Sequence, residues 1–287
     1  MFNIYNFMLA GGFVVFALVD TVAPARDYPA ARWWRLRGVA SAALYLALAS
    51  YTPYLWMDIM ADVTMFDASS LPLALSIAVG YAVMQFFHYL WHRALHHFEF
   101  LWRAFHQMHH SAERLDIYGA LYFHPLDMLG FTFVSSFALT VVFGLTPQAA
   151  AITGVLAGLI SLFSHANLRT PRWLGSLIAR PELHAVHHQR GRHGSNYGDL
   201  MVWDLLFGTF YNPKHWDDDV GFYDGASDRV VDTLLMRDVS RPPPEASMAP
   251  AVLQKSRAAK RLLSTPSQWP RETPKKRRNG LPGRNIV

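Results

Sequence analysis

The 287-residue chain is 52% hydrophobic and only 16% charged, against roughly 25% charged residues in an average soluble domain, which points to a membrane-embedded protein. It contains no cysteine, so disulfide frameworks, thiolate metal sites and cysteine nucleophiles are excluded. Ten of the 26 Lys and Arg and one of the 21 Asp and Glu fall within residues 251–287, so the formal charge of +5 belongs to a tail on an otherwise acidic chain.

Residues 1–19, 38–57 and 68–87 carry no charged side chain, and each approaches the roughly 20 apolar residues that cross a bilayer as a helix. The first stretch lacks a basic start and a small-residue cleavage site, so it is expected to remain as a span and not to be removed as a signal. Residues 128–164 are uncharged too, but Gly144-Leu145-Thr146-Pro147 interrupts them with turn-forming residues. That pattern predicts either two short spans or a re-entrant hairpin; both return the chain to the side it left. The first inter-span loop holds Arg26, Arg32, Arg35 and Arg37 against Asp27 alone, and the second holds Asp58, Asp62 and Asp67. The positive-inside bias places the arginine loop in the cytosol, together with the ends of the hairpin and the C-terminus. From residue 241 onward Pro, Ser, Lys and Arg dominate. This reads as a disordered basic tail that meets anionic lipid headgroups, not nucleic acid. The expected fold is all-α: an integral membrane helical bundle of four or five spans with a cytosolic helical cap.

Seven of the fourteen histidines fall within residues 88–110 and four more within 184–193. His88, His92 and His96 recur every fourth residue, which on a helix is one face with steps of about 6 Å along the axis. "HQMHH" follows as His106, His109 and His110, and "HAVHH" repeats the pattern as His184, His187 and His188. Spacings of three and four bring two imidazoles onto one ion, while the adjacent histidine points about 100° away and can serve another. Two such repeats and the stripe predict two nearby metals. Imidazole suits zinc, copper, iron and nickel, and spacing alone does not separate iron from zinc. The absence of HExxH excludes a zinc peptidase of that type, and the absence of inward Glu-x-x-His pairs excludes a ferritin-like carboxylate bundle. The chain shows no phosphate-binding glycine loop and no Ser-His-Asp arrangement, so no catalytic residue is expected apart from the metal site.

These blocks resemble the fatty acid hydroxylase/sterol desaturase superfamily of integral-membrane di-iron oxygenases, in wording most like its methylsterol oxidase-like branch. "HYLWHRALHH" (88–97) is similar to the superfamily's HRxxH block and "LWRAFHQMHHS" (101–111) to its LWxxHxxHH block. "YFHPLD" (122–127), "SHANLRTP" (164–171) and "PELHAVHHQRGRHGSNYGDLMVWDLLFGTFY" (181–211) resemble three further blocks in the same order. The resemblance implies two iron ions held by His92, His96, His106, His109, His110, His165, His184, His187 and His188. It leaves His88, His97, His124 and His193 as candidate ligands or residues behind the ligands, with His97 competing with His96 for one position. Gln85 stands where the superfamily often has an aspartate, so a neutral group is expected to orient one ligand. Arg93 is a candidate partner for a carboxylate beneath the site. Asn196, Tyr197, Trp203, Asp204 and Gly208 read as scaffold.

The division expected from this is N-terminal transmembrane helices over 1–80, a catalytic region over 81–211, a cytosolic extension over 212–240 and a basic tail over 241–287. The implied activity is hydroxylation or desaturation of a lipid C–H bond with dioxygen, the substrate being a sterol, fatty acyl, alkyl lipid or carotenoid drawn from the bilayer. Phe86, Phe87, Trp91, Phe98, Trp102, Phe105, Tyr122 and Phe123 are candidates to shape an apolar slot. No flavin, nicotinamide or haem motif is visible, so electrons are expected from a small haem or iron–sulfur carrier, or a reduced pterin. Two rival readings are a divalent-metal transporter or sensor, and a catalytically silent scaffold of the same fold.

Overall fold

The computed structural model describes residues 4–216 and 218–243; the expected basic tail, apart from its start, lies outside the described residues. Helices α1 (Ile4–Val22), α2 (Trp34–Tyr51), α3 (Met57–Ala61) and α4 (Leu73–His97) form the first half. Short α5 (Glu99–Leu101) passes through a π-helical turn over Trp102–His106 into α6 (Gln107–His110). Then come α7 (Pro125–Ser136), prolonged by a π-helical stretch over Phe137–Val142, and α8 (Pro147–His165). The remainder holds α9 (Pro181–His187), α10 (Val202–Leu206) and α11 (Val230–Leu234). Among the described residues there are no strands, only isolated bridges at Ile178–Leu200 and Gln189–Val220.

Among the described residues, four helices are long and apolar enough to cross a membrane: Ile4–Val22, Leu73–His97, Pro125–Val142 and Pro147–His165. The chain is a multi-pass membrane protein. The interrupted stretch at 128–164 resolves into helices of 18 and 19 residues, about 27–29 Å each at 1.5 Å per residue. Their connection is held at its far end: Gly144 sits at φ +54, and Met65 N donates to the Val141 carbonyl at 2.6 Å. The bounds of the span expected at 38–57 are corrected. Helix α2 starts earlier, at Trp34, carries Arg35 and Arg37 in its first turn, and stops at Tyr51, where Thr52–Leu55 tightens into a 3-10 turn. It packs on α7 without the apolarity of the other four.

Three helices begin with a proline at their first position, after His124, Thr146 and Arg180. Proline suits that position because its missing N–H is one the helix start leaves unpaired in any case. His124 Nδ1 and Thr146 Oγ1 cap the next free amides, of Leu126 and Ala149. Helix α1 lies against α8 through small residues; a Cβ on Gly158 would stand 2.6 Å from Leu9 Cδ2. Within α7 the hydroxyls of Thr132, Ser135 and Ser136 return to carbonyls four residues back, so no polar atom of theirs meets lipid bare.

At 25 residues, about 37 Å, α4 is longer than the roughly 30 Å hydrocarbon layer, so its histidine-bearing last turns stand at one membrane face. The loop after α1 and the segment after α9 gather there. Asp20, near the end of α1, accepts from Ile117 N at 2.7 Å and Asn167 N at 2.8 Å. Arg37 pairs with Asp228 at 2.8 Å, Arg26 lies over the Trp216 ring, and Tyr122 OH donates to the Ser227 carbonyl. Residues 212–240, expected as an extension, thus pack directly on the cap that holds the histidines.

Candidate metal centre

Nine histidines converge in two groups. His92, His96, His106, His110 and His187 form one, and His109, His165, His184 and His188 form the other; in each, the ring nitrogens lie within 4.8 Å of one another. These are the nine that the superfamily resemblance implied as ligands. Each HxxHH repeat is split. Its first and last histidines, a helical turn apart, enter one group, and the middle one turns to the other. His106 and His110 join His187, while His184 and His188 join His109. The π turn before α6 contributes: Gln107 N bonds back to Trp102 O, five residues earlier, which winds in an extra residue and re-aims His106.

The hydrogen bonds fix which nitrogen carries the proton. His92 Nδ1 donates to the Tyr197 carbonyl at 2.6 Å, His187 Nδ1 to the Ser195 carbonyl at 2.8 Å and His165 Nδ1 to the Ser161 carbonyl at 2.8 Å. His106 Nδ1 donates to Asp127 Oδ2 at 2.7 Å. Carbonyls and carboxylates only accept, so each ring presents a bare Nε2 lone pair. Yet His92 Nε2 and His106 Nε2 face each other at 2.9 Å. His165 Nε2 likewise lies 3.1 Å from His109 Nε2 and 3.0 Å from His184 Nε2. The facing lone pairs of His92 and His106 repel at that separation unless a cation sits between them. About 3.0 Å is also the spacing of two ligands at right angles around a metal with bonds of about 2.1 Å.

A proton is a poor candidate for that cation. Burial first, and neighbouring imidazoles second, hold His106, His110, His184 and His188 well below the ordinary imidazole value of 6.5, as they do His109 and His187. His96 Nε2, His187 Nε2 and both nitrogens of His110 are buried without a partner. Each such atom costs about 1–3 kcal/mol unless something satisfies it. Neutral, dry, converging imidazoles fit divalent transition metals.

The other candidates stand apart from the two groups. His88 lies one turn deeper on α4 and its Nε2 bonds Ser135 Oγ at 2.8 Å, so the stripe's repeat carries it out of reach. His97 is exposed against Phe98 and does not compete with His96. His124 is committed to capping α7, with Nε2 toward the Leu234 carbonyl at 3.4 Å. His193 stays closest, its ring 5.1 Å from that of His110, but joins neither group. Gln85 does not orient a histidine: its Oε1 accepts from Asp199 N at 3.2 Å. Arg93 donates to the Tyr89 hydroxyl and not to a carboxylate. The orienting groups are Asp127 and three main-chain carbonyls. Asp127 was visible as the one charge at the entrance of an uncharged stretch; carbonyls leave no trace in a sequence.

Two of the residues read as scaffold, Asn196 and Asp204, brace the segment behind the histidines. Asp204 accepts from Tyr197 N, Gly198 N and Thr209 Oγ1, and Asn196, at φ +61, donates to the Leu183 and Tyr211 carbonyls. Together they hold the Ser195 and Tyr197 carbonyls in place behind His187 and His92. Of the aromatic residues, Phe123 packs on His109 with ring centroids 4.2 Å apart, and Trp102 covers His96 and His110. Phe98 is exposed, Phe86 packs on Trp203, and Tyr122 packs on Trp34. Trp91, Phe87 and Phe133 line an apolar groove of about 280 Å³ between α4 and α7.

Residues 77–209 match the model of the fatty acid hydroxylase family. The chain is 34% identical over 147 residues to ornithine lipid hydroxylase OlsE of Rhizobium tropici, covering 50% of this chain and 44% of that protein. It is 31% identical to very-long-chain aldehyde decarbonylase GL1-9 of Oryza sativa subsp. japonica, over 47% of this chain and 54% of that one. It is 27% identical to sphinganine C4-monooxygenase 1 of Arabidopsis thaliana, over 50% and 56%. The matched stretch thus spans about half the length of these relatives. No solved structure matches the chain. All nine members of the two histidine groups fall inside the stretch that matches the fatty acid hydroxylase family, so the likeness to that family rests on the part of the chain that carries the candidate metal centre.

Proposed function

We propose that this chain is a membrane-embedded oxygenase with two irons that hydroxylates a C–H bond of a lipid, its metal site facing the cytosol. The observation that carries the reading is the convergence of nine imidazoles into two groups, one of which holds the Nε2 lone pairs of His92 and His106 face to face at 2.9 Å. His92, His96, His106, His110 and His187 hold one ion and His109, His165, His184 and His188 the other. Iron is favoured over zinc because zinc has no redox chemistry and the relatives are named for oxidations. Two bound irons supply oxidation of an unactivated C–H bond by dioxygen, with electrons from a small haem or iron–sulfur carrier or a reduced pterin.

The chain's own residues bind, orient and exclude water. The Tyr197, Ser195 and Ser161 carbonyls and Asp127 fix four rings in the metal-binding tautomer. Phe123, Phe131 and Trp102 close the groups off from water. The groove beside Trp91, the residue before His92, is a path for a lipid chain between α4 and α7. Arg26 of the arginine loop and Arg37 of α2 both contact the cap, which supports the same side for the loop and the histidines, and the positive-inside bias favours the cytosol for that side. Hydroxylation is favoured over desaturation because two of the three relatives described are named for hydroxylation or monooxygenation. The test is to reconstitute the full chain with ferrous iron, a reductant, oxygen and a membrane lipid extract, and to read the lipids by mass spectrometry. Addition of one oxygen to a lipid supports the reading. Iron-loaded protein that oxidises no lipid with any donor would establish the silent scaffold instead, and metal uptake into sealed vesicles without lipid oxidation would establish a transporter.

A further inference from the structure

Asp127 and His106 form the one histidine–carboxylate contact among the described residues. Both are buried, at 0% and 1% exposure. Asp127 Oδ1 has no partner, so no other group offsets the carboxylate's charge by hydrogen bonding. Within the two groups the remaining Nδ1 contacts described above go to neutral carbonyls. In the second group, His165 is backed by the Ser161 carbonyl, and His109 Nδ1 is buried with no partner at all.

From this asymmetry we infer that the two metal positions are unequal, and that Asp127 makes the group of His92, His96, His106, His110 and His187 the tighter one. A carboxylate behind an imidazole raises the basicity of its far nitrogen more than a carbonyl dipole does, and a cation bound at that nitrogen in turn favours the carboxylate's charged form, which a dry surrounding leaves unscreened. The first group also offers five rings to the second group's four, with three of the five locked by a hydrogen bond at Nδ1. Locked rings lose less freedom when an ion arrives. Asp127 is a positioning residue: it acts through His106 and touches no substrate. The inference rests on the two-metal reading above.

The experiment uses the full-length protein in detergent, stripped of metal and titrated with cobalt(II) against a competing chelator, with the absorption of the bound ion as readout. A His165→Ala background isolates the first group and a His96→Ala background weakens it, so that each step is assigned. The expected result is two separated steps, the first belonging to the Asp127-backed group. Asp127→Asn keeps the shape but removes the charge, and its amide can turn to force the wrong tautomer on His106. It is expected to weaken the first step by about 10- to 100-fold, the range for losing a ligand's hydrogen-bonding partner, and to leave the second unchanged. The second step is the internal control for folding. Two equal steps in the unmodified protein, an unchanged first step in Asp127→Asn, or an equal loss in both steps would each overturn the inference. Failure of the unmodified protein to bind cobalt at all would instead contradict the two-metal reading itself.

Discussion

His109 and His187, the middle histidines of the two HxxHH repeats, change places: each leaves the group built by its own repeat and completes the group built by the other. Their rings lie against the opposite repeat, His109 at 4.5 Å from His188 and His187 at 4.7 Å from His110, centroid to centroid. The exchange ties α6 to α9 through both groups, so neither repeat holds an ion alone.

Substituting each crossing residue is therefore expected to drain the opposite repeat's ion. His109→Ala removes metal from the group of His184 and His188, and His187→Ala from that of His106 and His110. Each variant should fall from two bound ions toward one, lose lipid oxidation and still insert into membranes. Metal analysis and a protease-protection assay on purified vesicles check this; full activity in both variants would refute the assignment of ligands.

Stability of the metal-free protein should depend on pH in one direction. In the folded state burial holds six imidazoles outside the spans well below 6.5, so they stay neutral while the unfolded chain takes up protons at that ordinary value. Above about pH 6.5 neither state gains protons at these groups and the melting temperature is flat on their account. Below it the unfolded state is favoured by up to about 1.4 kcal/mol per group per pH unit, so the melting temperature drops. Thermal melts of the stripped protein at stepped pH read this out.

Gln107, between His106 and His109 in the sequence and 0% exposed, hooks the chain after α11: Nε2 donates to the Arg237 carbonyl at 2.7 Å and Oε1 accepts from Val239 N at 3.2 Å. Gln107→Ala leaves a buried acceptor and a buried donor unpaired, at about 1–3 kcal/mol each. The expected result is a lower melting temperature and faster proteolysis near residues 235–240. A melting temperature equal to that of the parent would show that the hook does not hold this segment.

The same contacts set where the chain can be shortened. A chain ending at residue 243 keeps Val239 and Asp228 and should bind metal as the full chain does. One ending at residue 224 loses the partners of Gln107, Arg37 and Tyr122 and should lose metal. Metal analysis of the two truncations separates these outcomes.

Much of this was legible in the sequence because the relevant signals are local. The HxxxH and HxxHH spacings follow from the helical repeat, and the X-Pro pairs at 124, 146 and 180 mark helix starts through the proline ring alone. His88 and His124 are committed to Ser135 and to the cap at Leu126, partners that spacing does not encode, while His97 is exposed at the end of α4. The bounds of the second apolar stretch were off because Arg35 and Arg37, read as loop residues, lie inside α2. The groups that orient the rings were the least visible, since three of the four are main-chain carbonyls.

The most direct test of the account is the metal content of the full chain, purified from cells supplied with iron, combined with X-ray absorption at the iron edge. The account predicts two irons per chain, each surrounded by imidazole nitrogen and close enough to register the other. A chain that carries no iron under those conditions, or a single iron outside the nine histidines, would contradict it.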